Sequence, residues 1–151
     1  MRLYIAGPMR GYPEFNFPAF HRAAADLRAL GHTVFSPAEK DIEREGMDIS
    51  KGNKEGSEEM LDKQLGLPPG AFLRVALGED LDWICKHADG VALLGGWETS
   101  KGAIAESSTA NALGLRRFIE VHETWLEIDA HGRIMGNSLG PVEKAEWVPP
   151  R

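Results

Sequence analysis

The sequence predicts an α/β fold, an open parallel sheet with helices on both faces, and three observations carry that prediction. Short apolar runs alternate with longer stretches in which apolar residues recur at helical spacing. The first strand–helix–strand unit covers about 35 residues, the size of a right-handed βαβ crossover. Glycine-rich turns follow the first and third runs, at Gly7 to Gly11 and at Gly95-Gly96. In open sheets of this kind, ligands bind at the carboxyl ends of the strands.

Taken in order, Leu3 to Ile5 is the first strand and runs into the tight loop Ala6-Gly7-Pro8-Met9-Arg10-Gly11. Asn16 is placed to cap the next helix, with Pro18 tolerated in its first turn. Phe20, Ala23, Ala24, Leu27 and Leu30 recur on one face of that helix, and Gly31 is a natural stop. His32 to Phe35 is the second strand, closed by Ser36-Pro37. Residues 38–72 are dominated by charge and glycine, with a short helix expected over Ser57 to Leu65. A polar insertion of that length in a compact domain is either disordered or functional, often as a lid. A helix from Ala71 to Ala88 follows, with Leu73, Leu77, Leu81, Ile84 and Ala88 on one face and Gly78 interrupting it. Gly90 to Leu94 is a buried third strand, and Gly95 to Ser100 a loop. Lys101 to Leu113 is a helix ended by Gly114, and Arg117 to Val121 is a fourth strand. Glu123 to Ile128 and Arg133 to Met135, joined through Asp129-Ala130-His131-Gly132, read as a hairpin. The tail from Gly136 to Arg151 reads as irregular, so 122–151 is a hairpin and tail on a single domain.

Composition narrows the class. The 151 residues are 42% hydrophobic and 26% charged, the balance of one soluble globular domain. No apolar run is long enough to span a bilayer, and the N-terminus lacks the apolar core of a signal peptide, so a cytoplasmic setting is expected. The single cysteine, Cys85, excludes an intramolecular disulfide and a multi-cysteine metal site, and reads as an inert core thiol. The five histidines show no metal-ligand spacing. With 17 basic and 23 acidic residues the net charge is −6, which argues against a nucleic-acid polymer as partner but leaves room for a local phosphate site. Neither glycine-rich loop matches GxGxxG or GxxxxGK[ST], and no serine sits in a GxSxG elbow.

The two loops still have the makings of an anion site. A turn at a helix start presents free N–H groups, Ser100 adds a hydroxyl, and Arg10 and Lys101 supply positive charge. Ser100 is equally suited to cap its helix. Glu106 is more informative. Counted from Ser100 it lies beyond the first turn, and its helical neighbours Gly102, Ala103, Ala110 and Leu113 are small or apolar. A carboxylate on the face that packs against the sheet is kept for a partner or for a purpose. Either it pairs with Arg10 or Arg117, or it is functional. Asp80 lies near the apolar edge of the preceding helix, and Asp82 on a different side. Tyr4 belongs to the core with its hydroxyl near the strand end, and Trp97 either stacks on a ligand or packs under its own loop.

These residues resemble a known family. Tyr4-Ile5-Ala6-Gly7-Pro8-Met9-Arg10-Gly11, then Asp80-Leu81-Asp82-Trp83-Ile84, then Ser100-Lys101-Gly102-Ala103-Ile104-Ala105-Glu106 resemble the nucleoside 2-deoxyribosyltransferase-like superfamily. Within it the chain looks most like the small proteins of the DUF4406 group, many of them encoded by phages or prophages. It is also similar to nucleoside 5′-monophosphate N-glycosidases. The resemblance covers roughly residues 1–37 and 73–121. It implies a flavodoxin-like sheet, Glu106 as nucleophile with Gly102 four residues before it, and Ser100, Gly7, Arg10 and Gly11 at a 5′-phosphate. It implies Asp80, or failing that Asp82, as the second carboxylate. Tyr4 and Trp97 are carried as substrate contacts. Two departures stand out: Gly95-Gly96 occupies the place where the transferases commonly carry an Asp, and Ser108 a place where they often have Gly. The resemblance therefore implies hydrolysis of a ribo- or deoxynucleoside 5′-monophosphate without cofactor or metal, with base exchange or non-catalytic nucleotide sensing as alternatives. It also implies a homodimer or larger assembly.

Overall fold

In the computed structural model, which describes residues 1–139, one six-stranded sheet is flanked by helices. The strands are β1 (Arg2–Ala6), β2 (Thr33–Phe35), β3 (Gly90–Leu93), β4 (Arg116–Val121), β5 (Thr124–Ile128) and β6 (Ile134–Ser138). The helices are α1 (Phe17–Ala29), α2 (Pro37–Glu45), α3 (Glu58–Leu65), α4 (Ala71–His87) and α5 (Lys101–Ala112). Spatial order is β2-β1-β3-β4-β5-β6; the first four strands are parallel, and β5 and β6 join antiparallel. The α/β architecture expected from the element order is therefore present, with an antiparallel flank. Among the described residues no helix is long and apolar enough to cross a membrane.

Alternation along the strands sorts the core into two layers. Leu3 and Ile5 of β1, Ala92 of β3 and Phe118 of β4 pack under α1 with Phe20, Ala24 and Leu27. Tyr4 and Ala6, Val91 and Leu93 face the other way, against Ile84 and Ala88 of the α4 end and Ala103 and Ala110 of α5. The central strands are buried on both faces, as parallel strands covered by helices must be.

Several local expectations change. Residues 38–72 are not a structureless insertion. Pro37 at the first helical position and Gly46 at the left-handed C-cap bound α2, and Ala38, Asp41, Ile49 and Asn53 are buried. The short helix α3 does form, with Ser57 Oγ accepting from the Met60 N–H at 3.2 Å. Helix α4 runs through Gly78 without a break, but its buried stripe is Phe72, Ala76, Asp80 and Ile84 rather than the leucine face. One consequence is that Cys85 is exposed, not a core thiol. Asn16 precedes α1 in a left-handed conformation (φ 60°), so its side chain cannot cap the helix; its Nδ2 instead donates to the Pro8 carbonyl at 3.0 Å. Gly136 to Ser138 pair with β5 as part of β6, and the remainder of the expected tail, from residue 140, lies outside the described residues.

Candidate active site

A cavity of about 70 Å³ opens into a cleft over the carboxyl ends of β1 and β3, where open parallel sheets bind ligands. Its apolar wall includes Phe15, Phe17, Ile49, Leu61 and Phe72; four carboxylates share the lining, Asp41, Asp80 and Glu106 buried and Glu58 half-buried. Phe15 reaches the wall from a strained turn: Glu14, Phe15 and Asn16 all have φ between 51° and 60°. That turn is held by the Glu14 N–H donating to the Asn53 carbonyl at 3.0 Å and by the Asn16 contact to Pro8.

Glu106 sits on the buried face of α5 with Ala103, Ser107 and Ala110, and is 6% exposed. Ser100 is the N-cap, its Oγ accepting from the Ala103 N–H at 3.3 Å, so the helix begins where the spacing predicts. Neither expected ion pair to Glu106 forms. Arg10 Nε lies 2.9 Å from Glu58 Oε1. Arg117 donates to Ser107 Oγ at 2.9 Å and to the Asp129 carbonyl at 2.5 Å. With no cation paired to it among the described residues, Glu106 is pushed well above the usual carboxylate range by burial, then by the charge of Asp80.

Asp80 occupies the centre of the α4 stripe, 6% exposed, with Oδ1 lacking a hydrogen-bond partner among the described residues. Burial pushes its carboxyl up to about 7, and the neighbouring charge of Asp41 adds to the effect. Tyr4 lies beneath the cavity rather than in its wall, fully buried with its ring stacked on Phe35 at 5.6 Å. Its hydroxyl also has no hydrogen-bond partner among the described residues. Burial and the charges of Glu106 and Asp80 raise it well above the ordinary phenol value, so it remains a protonated donor facing two acceptors.

Glu106, Asp80, Gly7, Arg10, Ser100 and Gly102, each singled out from sequence, all line the one cavity. Arg10 and Ser100 also border an adjoining polar groove with Lys101 and Tyr12. Gly7 packs so closely that a Cβ would stand 2.8 Å from Leu94 Cβ, whereas a Cβ on Gly102 would meet nothing within 4 Å. The other candidates stand apart. Gly11, at φ 77°, fastens its loop to the next segment by donating its N–H to the Gly56 carbonyl at 3.0 Å. Asp82 is on the solvent side of α4, its Oδ1 2.9 Å from Lys86 Nζ, because a four-residue helical offset joins those two on the outer face. Trp97, in the 3-10 turn Trp97–Thr99, packs half-buried against the Tyr4 side of the core. Asp41 and Glu58 are cavity residues that sequence reasoning missed. The Ser36-Pro37 start and Gly46 stop of α2 were the signal that could have found Asp41.

No curated protein and no solved structure gives a significant match to the chain. A family model does match, over residues 1–118, and it describes a domain of unknown function, DUF4406. That span contains every cavity residue, and by it the chain belongs to the DUF4406 family.

Proposed function

We propose that the protein is an N-glycosidase that hydrolyses the base–sugar bond of a nucleoside 5′-monophosphate to free base and sugar 5-phosphate. The observation that carries this reading is Glu106, a carboxylate buried at the cavity beside a second carboxylate, Asp80, with no cation paired to it among the described residues. The resemblance of the Gly7–Gly11, Asp80 and Ser100–Glu106 motifs to nucleotide N-glycosidases supports it.

Glu106 attacks C1′ while Asp80 delivers its proton to the departing base nitrogen, which leaves with the electron pair of the C1′–N bond. Positive charge developing at C1′ favours the ionised form of Glu106 despite its burial. The Tyr4 hydroxyl, poised beneath both carboxylates, is a donor to either. In the second half, water attacks C1′, Asp80 takes its proton, and Glu106 is released. The exposed N–H groups at the start of α5, with Ser100, Lys101 and Arg10, hold the 5′-phosphate and align C1′. The phosphate takes over Arg10 from Glu58. The cavity as it stands holds about two waters, so α3 and the segment leading to it move aside when a nucleotide enters.

The test is incubation with a panel of ribo- and deoxynucleotides and nucleosides, with chromatography for released base. Phosphate-dependent release is expected, and Glu106→Gln should lower it at least about 1,000-fold. Wild-type activity in that variant, or ligand-induced thermal stabilisation with no base released, would overturn the reading, the latter in favour of a nucleotide-binding module.

A further inference from the structure

Helix α2 brings a third buried carboxylate to the cavity. Asp41 is 3% exposed and shares the lining with Asp80 and Glu106. Arg44, one turn on, clamps it: Nη2 donates to Asp41 Oδ1 at 2.6 Å and Nη1 to Glu79 Oε2 at 2.6 Å. The guanidinium lies over the Phe72 ring, 5.2 Å from its centroid. Glu79 and Phe72 belong to α4, the helix that carries Asp80, so the clamp locks α2 against α4.

Holding the helices together does not require Asp41. Arg44 is already balanced by Glu79 and touches Glu45 at 3.3 Å. A further buried carboxylate is costly unless it has a role. Burial pushes Asp41 up to about 6 despite Arg44, still below Asp80, so above that pH three carboxylates share one guanidinium and the cluster is negative beside a protonated Asp80. The groups that act on Asp80 are Asp41 and Arg44 of α2, Glu79 of α4 and Tyr4 of β1, while Glu106 of α5 faces it across the cavity and is itself raised by the Asp80 charge. Asp41 and Asp80 share the cavity lining, and the Asp41 charge adds to burial in raising the Asp80 carboxyl.

We propose that Asp41, held by Arg44, is a positioning residue that keeps the catalytic proton on Asp80, where the departing base can take it. It touches neither the base nor C1′ and acts only through Asp80. In the forward step the proton passes from Asp80 to the base nitrogen; in the hydrolytic step a water proton returns to Asp80, again retained there by the Asp41 charge. The inference rests on the glycosidase reading for its purpose, but its physical content can be measured without turnover.

The experiment is a pH titration of the Asp80 carboxyl carbon by 13C NMR, assigned by its loss in Asp80→Asn. In Asp41→Asn the Asp80 midpoint should fall by at least about one pH unit, a tenfold loss of proton affinity. An unchanged midpoint overturns the inference. Glu79→Gln, a milder change at a half-exposed residue, should move the midpoint the same way by a smaller amount, and no movement there counts against it equally. With an active substrate, the alkaline limb of kcat/KM should shift down with the midpoint, while the rate near pH 5.5 stays within about threefold of wild type. A uniform drop at all pH values would mark a packing role and overturn the inference. If the midpoint shifts but no nucleotide is cleaved, the glycosidase reading fails and the hold of Asp41 on the Asp80 proton stands.

Discussion

Asp80→Asn should make the protein more stable while removing the proposed acid, and the gain should depend on pH. The folded protein holds the Asp80 proton up to about pH 7, against about 3.9 for an unperturbed aspartate. The folded state therefore binds more protons than the unfolded chain across that window, and stability falls as pH rises through it. A proton held about a thousandfold more tightly, at 1.36 kcal/mol per tenfold, amounts to about 4 kcal/mol lost once Asp80 is ionised. Asparagine has nearly the same shape and never ionises, so it escapes the penalty. Urea denaturation should show the variant more stable by up to about 4 kcal/mol at pH 8, but by less than about 1 kcal/mol at pH 4. An equal gain at both pH values, or a loss at pH 8, would refute the assignment of Asp80 as a buried carboxylate held against its charge. The expected outcome has a functional meaning: the site retains a destabilising group that a stability optimum would discard.

Gly102→Ala adds a methyl that meets nothing within 4 Å, at the cavity wall and inside α5. It should raise stability by about 0.5–1 kcal/mol, as Ala does over Gly in a helix, while weakening ligand binding about tenfold by shape conflict. Thermal melting and KM together check the opposite signs. Gly56→Ala should be destabilising by about 2–4 kcal/mol, because φ is 61° and the new Cβ would collide with the backbone oxygen and nitrogen of Tyr12. Hydrogen exchange should then accelerate first at the Gly11 and Glu14 amides, which donate to Gly56 and Asn53.

The parallel core was legible because its signals are local. A short apolar run, a helical repeat and a glycine stop recur from β1 to β4, and the burial of Glu106 follows from small neighbours four residues away. The site was legible where it lies on loops directly after strands, as with Gly7, Arg10 and Ser100. Tertiary packing decided the rest. The leucines of α4 suggest one face, but docking against α2 and α5 turns the helix so that Phe72, Ala76 and Asp80 are buried. Asp41 sits in a charged stretch that looks solvated until Arg44 and α4 enclose it. The β4–β5 turn escaped because His122 and Glu123 both adopt positive φ without the Asn or Gly such a turn prefers.

The antiparallel flank has a practical corollary. Every residue lining the cavity falls between Gly7 and Glu106, whereas β5 and β6 extend the sheet beyond β4 and bury Trp125 on its α1 side. The cavity and the sheet edge thus lie on separate stretches of one chain. The exposed turn at Asp129–Gly132, organised by Asp129 Oδ1 accepting from the His131 and Arg133 amides, is the natural attachment point for a reporter or an immobilising tether. A graft there would ride on the far rim of the scaffold and leave the carboxylates undisturbed.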